Sequence, residues 1–273
     1  MILRFVLTAG LLVLLAIAGA AQGEPQVSAQ SELDAGVQAF KQAHYEDAIN
    51  HFEQAAILEP GFTLAHLYLA AAYSQMFVPG VDTADNVIWA TKALDQYSEI
   101  LRTNPSDIES IKGLAYLRFQ LNSFEQAKED YAKAIALDPK DPELLYAAAV
   151  VNWSIANREI TTEKAKVDAE SDYSLISSEG CADARSKSLA GIDNGIAMLT
   201  KAMSLRKDYD DAMTYMTQLY RLRAELECGN KKAYRADLQQ ANEWSDRAAS
   251  AKKKNAEAAA KDDHEKAPGS PRP

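Results

Sequence analysis

A repeated spacing of aromatic, alanine and proline residues constrains this chain more than any other feature. Residues 45–60 read YEDAINHFEQAAILEP, and residues 124–139 read FEQAKEDYAKAIALDP. In each run an aromatic opens the stretch (Tyr45, Phe124) and an alanine stands three residues on (Ala48, Ala127). A second aromatic follows four later (Phe52, Tyr131), an alanine three later (Ala55, Ala134) and a proline five later (Pro60, Pro139). Steps of three and four place these side chains on one face of an α-helix. The proline then ends that helix, because it disfavours helical backbone in the residue before it. A third run, residues 86–105, keeps Ala93, Tyr97 and Pro105. Pro105 and Pro139 are 34 residues apart, and Pro60 and Pro105 are 45 apart, which is the same unit plus 11 residues. No stretch alternates apolar and polar residues as a strand would. One such helical hairpin cannot bury its apolar face alone, so repeated hairpins must stack.

This pattern resembles the tetratricopeptide repeat (TPR) family, whose unit is a helix-turn-helix of about 34 residues. Unit one covers 29–62, with Gly36 at the early small position of its first helix. Unit two covers 63–107, with Ala70 and Tyr73 on its first helix and an insertion at 76–86. Unit three covers 108–141, with Ala115 early and no insertion. Unit four opens at Pro142 and carries Ala149 and Trp153. Its second helix returns only after an insertion at 154–193, with Ile196, Leu199 and Ala202 in the expected places. There Lys207 replaces the closing proline and Gly195 replaces an alanine. Unit five opens at Asp210, and a long last helix follows from about Lys231.

The resemblance implies an all-α, right-handed superhelix of about five units over 29–249, two of them with insertions, closed by a capping helix. Residues 250–273 are polar and are expected to be mostly disordered. Locally, Ser123 with Gln126 predicts a capping box. Asp141-Pro142 predicts an N-cap followed by proline at the first helical position.

Residues 1–23 carry one charge, Arg4, then an apolar run from Phe5 to Ile17 and the small residues Ala18, Gly19 and Ala20. That is the layout of a secretory signal peptide. The run is shorter than the roughly 20 residues of a spanning helix; retention as an N-terminal anchor is the alternative. The chain is therefore expected to be exported, periplasmic or secreted, with no membrane contact once the signal is removed. Outside the cytosol a disulfide persists. Cys181 and Cys228 are the two cysteines. In stacked hairpins the turns within successive hairpins share one edge, and both residues fall in that turn region. They are predicted to pair across 47 residues; two free thiols are the alternative.

The formal net charge is −10, and a basic patch able to hold nucleic acid is absent. Phosphate-binding glycine loops, nucleophile elbows and H-E-x-x-H are also missing. His44, His51, His66 and His264 form no metal motif, so no cofactor, metal or catalytic residue is expected. The family resemblance instead implies a groove lined by the first helix of each unit. Carried over unit by unit, its candidates begin with Leu33, Val37 and Phe40, then Leu64 and Leu67. Unit three offers Lys112, Tyr116 and Phe119, unit four Tyr146, Val150 and Trp153, and unit five Gln218 and Arg221. Lys112 alone stands where some family members clamp a peptide carboxylate. The lining suits an extended or helical apolar peptide; the alternative is that these aromatics pack within hairpins or that the 154–193 insertion folds into the groove. The expected function is a non-catalytic protein–protein interaction scaffold or adaptor of the bacterial cell envelope. The alternative is a self-associating assembly module of an envelope complex, and more remotely a metal-dependent hydrolase.

Overall fold

The computed structural model describes residues 27–81, 83–166 and 179–266, the side chains of 262–266 excepted. Residues 1–23, where a signal peptide is expected, the last residues of the tail and the His264 side chain lie outside the described residues. Within them the backbone forms ten α-helices and no strand. They are α1 (Ala29–Lys41), α2 (Tyr45–Leu58), α3 (Thr63–Met76), α4 (Ala84–Thr103), α5 (Ile108–Gln120), α6 (Phe124–Leu137), α7 (Pro142–Lys164), α8 (Cys181–Leu205), α9 (Asp210–Glu225) and α10 (Lys231–Lys266). Consecutive helices pair as five hairpins, from α1/α2 to α9/α10, and each hairpin touches the next. First helices also meet first helices, α1 with α3, α3 with α5 and α7 with α9. This is a TPR superhelix.

The hairpins close because small residues meet rings. A Cβ placed on Gly36 would stand 2.5 Å from Cε1 of Phe52. Phe52 is fully buried and stacks on Tyr68 of the next hairpin, ring centroids 5.4 Å apart. One ring thus closes its own hairpin and joins it to its neighbour. Gly113 does the same with a different partner: a Cβ there would overlap the ring of Tyr97, which comes from the preceding hairpin. The buried alanines, Ala48, Ala55, Ala93, Ala127 and Ala134 among them, keep the remaining helix pairs close. The core follows as a seam, from α1–α5 through Ile111, Ala115, Leu144 and Val151 to α7–α9.

The ends of the helices correct one expectation. Asp141 caps α7 as read from the sequence, its carboxylate accepting from the amides of Glu143 and Leu144. Ser123 precedes α6 but its side chain caps nothing. Asn122 before it turns at φ +58, and Ser123 sits at ψ 58, short of the extended conformation that aims a capping hydroxyl. A capping box forms at α1 instead, between Ser28 and Ser31.

The insertion of unit two is a short connection plus extra turns at the start of α4. Buried Asn86 holds that connection. Its Oδ1 accepts from the amide of Val78 at 2.7 Å, and its Nδ2 donates to the carbonyls of Val78 and Val81 at 2.8 and 2.7 Å. Replacing Asn86 with Ala leaves these groups unsatisfied, which costs about 2 kcal/mol. Hydrogen exchange at Val78 is expected to accelerate while amides of α1 and α2 keep their protection.

In the second half of the chain the helices lengthen. α7 has 23 residues and α8 has 25, against 13 and 14 in α1 and α2. Cys181 opens α8 and is joined to Cys228 in the α9–α10 turn, Cα atoms 5.5 Å apart. α10 packs Ala241, Ala248 and Ala251 inward and continues past Ala249 to Lys266. Lys254 and Asn255 tie it to the α8–α9 turn, bonding Asp208 and Asp210 at 2.5–3.0 Å.

Candidate protein-binding surface

The inner wall of the superhelix is built by α1, α3, α5, α7 and α9. Helical spacing decides which residues turn toward it, and packing decides which of those stay accessible. Leu33 and Val150 do not: both are buried, with 2% and 8% exposure, and Leu33 packs into the core of α1–α5. Val37, Phe40 and Leu67 are half-buried against the first part of the core. Phe40 meets Tyr45 and Tyr68 edge-on, at 5.4 and 6.5 Å. Leu64 and Tyr116 are open to solvent, at 44% and 45%. Phe119 lies half-buried against Phe124 at 5.6 Å. Gln218 is half-buried and Arg221 exposed.

Further along the wall the aromatics form a continuous set. Tyr146 touches Tyr209 and Tyr215 at 5.2 and 5.6 Å, and Trp153 meets Tyr215 edge-on at 5.5 Å. Tyr209, buried just before α9, and Tyr215, half-buried on α9, are not among the residues expected from the sequence. Burial, and then the neighbouring phenol of Tyr215 and carboxylate of Asp211, push the Tyr146 hydroxyl above its ordinary range. It therefore stays neutral. Glu143 at the edge of this set accepts from the Tyr209 hydroxyl and pairs with Arg206 at 2.5 Å.

Lys112 is not a free anchor. Its ammonium lies 3.3 Å from Glu109 and 3.6 Å from Asp141. Partial burial works against its charge, but the two carboxylates outweigh it and raise its pKa. A lone cation already shared by two acids is poorly placed to hold a peptide carboxylate.

His51 and His66 have ordinary partners. His51 bonds Glu32 at 2.7 Å, and His66 bonds Gln96 at 2.7 Å and the Pro60 carbonyl at 3.0 Å. Among the described residues, Glu159, Glu163 and Asp183 bring three carboxylates together. The chain supplies its own cation there: Lys187 Nζ is 2.7 Å from Glu159, 2.7 Å from Asp183 and 3.9 Å from Glu163. The hydrogen bonds that Lys187 donates to Asp183 and Glu159 raise its pKa and keep it charged. The cluster ties α7 to α8. No local signal marks it, because Asp183 lies far along the chain from Glu159 and Glu163.

A TPR-repeat family model matches residues 113–155, the stretch from the middle of α5 into α7. No sequence among curated proteins matches the chain. Among solved structures, a crystal structure of MamA protein superposes over 84% of this chain and 94% of its own, with TM-score 0.57 and 14% identity. MamA from Desulfovibrio magneticus RS-1, residue 41 to the end, superposes over 80% of this chain and 94% of its own, with TM-score 0.52 and 12% identity. At such identities the likeness concerns the fold, and it extends along nearly the whole described chain. Repeat spacing, stacked hairpins and the family match agree: the chain is a tetratricopeptide-repeat protein.

Proposed function

We propose that the chain is a non-catalytic scaffold of the bacterial cell envelope that holds a partner protein by an apolar or aromatic peptide along its inner wall. TPR-repeat proteins are in general interaction modules, which supports the class. The observation that carries the finer reading is Tyr116: a large aromatic exposed at 45% in the middle of the wall. It stands on rigid α5 with the half-buried Phe119 three residues on. Aromatics held on rigid helices bury much area at low entropic cost on binding. The leader at 1–23 supports export, and the Cys181–Cys228 bond suits an oxidising compartment. No described helix is long and apolar enough to cross a membrane.

The test starts with a photo-crosslinking amino acid at position 64, activated in intact cells, to identify what touches the wall. Tyr116→Ala with Phe119→Ala is then expected to weaken the identified complex by at least about tenfold, with the helical circular dichroism unchanged. Equal affinity of the double variant would place the contact elsewhere. N-terminal sequencing of the protein recovered from the envelope checks export.

A further inference from the structure

A second surface lies away from the inner wall, where α10 crosses the end of α8. An open cleft of about 370 Å³ runs there between the two helices and the start of α9. Met203, Met213 and Trp244 line its apolar part, all three half-buried. Lys207, Arg247 and Lys254 stand on its rim, all exposed. The far wall exists because Lys254 and Asn255 lash α10 to the α8–α9 turn.

The charges of the rim are unbalanced. Its single carboxylate, Asp208, is already bonded to Lys254 at 2.5 Å. Among the described residues Lys207 and Arg247 make no ion pair; the Arg247 guanidinium lies over the Trp244 ring, 4.6 Å from its centroid. With no hydrogen bond to another described residue, the guanidinium keeps its N–H groups free, and such a fork can take a carboxylate in a bidentate pair. A spot with two unpaired cations in a chain of net charge −10 favours an anion locally. The floor asks for something apolar as well. Two thioethers adapt to irregular shapes, and the indole offers a broad flat contact. The cleft is short and open, so it suits one large side chain with backbone on either side and not a long acyl tail.

We infer that the α8–α10 cleft is a binding site for an acidic segment of a partner protein, in which a large apolar side chain stands next to a carboxylate. The apolar group covers Trp244 and the methionines, and the carboxylate meets Arg247 and Lys207. This site is independent of the inner wall and stands whether or not the wall binds a peptide.

The experiment follows the indole N–H signals of the nitrogen-15-labelled protein, with Trp244→Phe assigning the cleft. The probe is the synthetic peptide acetyl-Gly-Ser-Leu-Glu-Glu-Ser-Gly-amide. It is expected to shift the Trp244 signal while those of Trp89 and Trp153 stay in place. Peptides with Leu changed to Ala, or both Glu to Gln, are expected to bind at least about tenfold more weakly. Lys207→Glu with Arg247→Glu is expected to do the same with unchanged helicity. A still Trp244 signal at millimolar peptide overturns the inference. So does an equal response to the Ala or Gln peptides, or to acetate alone. A shift at Trp153 instead assigns the peptide to the inner wall. A dimer in light scattering that dissolves in the charge-reversed variant would assign the cleft to a second copy and likewise overturn the proposal.

Discussion

Arg118→Leu lowers the stability of the protein by about 3 kcal/mol. The cause is Asp130, a carboxylate 2% exposed on α6. Arg118 of α5 donates to one of its oxygens and Lys133 lies 3.1 Å from the other. The two cations are not equivalent. The Lys133 side chain is 63% exposed, whereas that of Arg118 is 29% exposed and reaches across the hairpin. Removing Arg118 leaves a buried charge facing a solvated ammonium, and an uncompensated buried charge is among the costliest defects a core can carry. The α5/α6 hairpin lies mid-stack, so weakening it also loosens the contacts of its neighbours, α4 and α7. Arg118→Leu combined with Asp130→Leu removes both charges and is expected to recover most of the loss. Urea denaturation followed by circular dichroism on the two single variants and the double variant measures it. A single-variant loss below about 1 kcal/mol would mean that water reaches Asp130 and that the pair behaves like a surface bridge.

Asp130 shows why some of the fold could be read from the sequence and some could not. The helices of units one and three were legible because Tyr45, Ala48, Phe52 and Ala55, and their counterparts in α6, obey a local period that a helix must turn to one side. Their closing prolines mark the ends. Asp130 obeys no such rule: in the run Glu129-Asp130 both residues look like surface acids. Arg118, 12 residues away, is what makes burial tolerable. Gly113 was equally opaque, because the ring it accommodates belongs to the previous hairpin. Ser123 carried the right motif for a cap, yet the turn at Asn122 set its backbone differently. On the inner wall, repeat positions located the helix face but not its depth. Leu33 sank into the core and Val150 is buried, while the buried Tyr209 just before α9 and the half-buried Tyr215 on it pack against Tyr146. The α8–α10 cleft depends on Lys254 reaching Asp208, 46 residues back, and no local pattern announces such a contact.

Cys181→Ser with Cys228→Ser is the change expected to cost most, about 4 kcal/mol from loop-closure entropy for a 47-residue separation. Its effect will not be uniform along the chain. Each hairpin touches mainly its neighbours, so stability in a stack is the sum of local terms. The bond joins the start of α8 to the α9–α10 turn, in the part of the chain that lacks the regular repeat's closing proline at Lys207. Other ties cross the same place: Arg185 donates to the Leu226 carbonyl at 2.5 Å, and Lys164 pairs with Glu225 at 3.3 Å. They hold the native arrangement but do not restrict the unfolded chain, so they cannot replace a covalent link. At the scale of a chain this long, 4 kcal/mol lowers Tm by roughly 8–15 °C. Hydrogen exchange is expected to quicken first at the start of α8 and in the α9–α10 turn, with α1–α4 almost unaffected. Complete reduction of the unmodified protein should reproduce the melting curve of the double variant. If reduction leaves Tm where it was, loop closure is not what steadies the last two hairpins, and the packing of α10 across α9 must do so unaided.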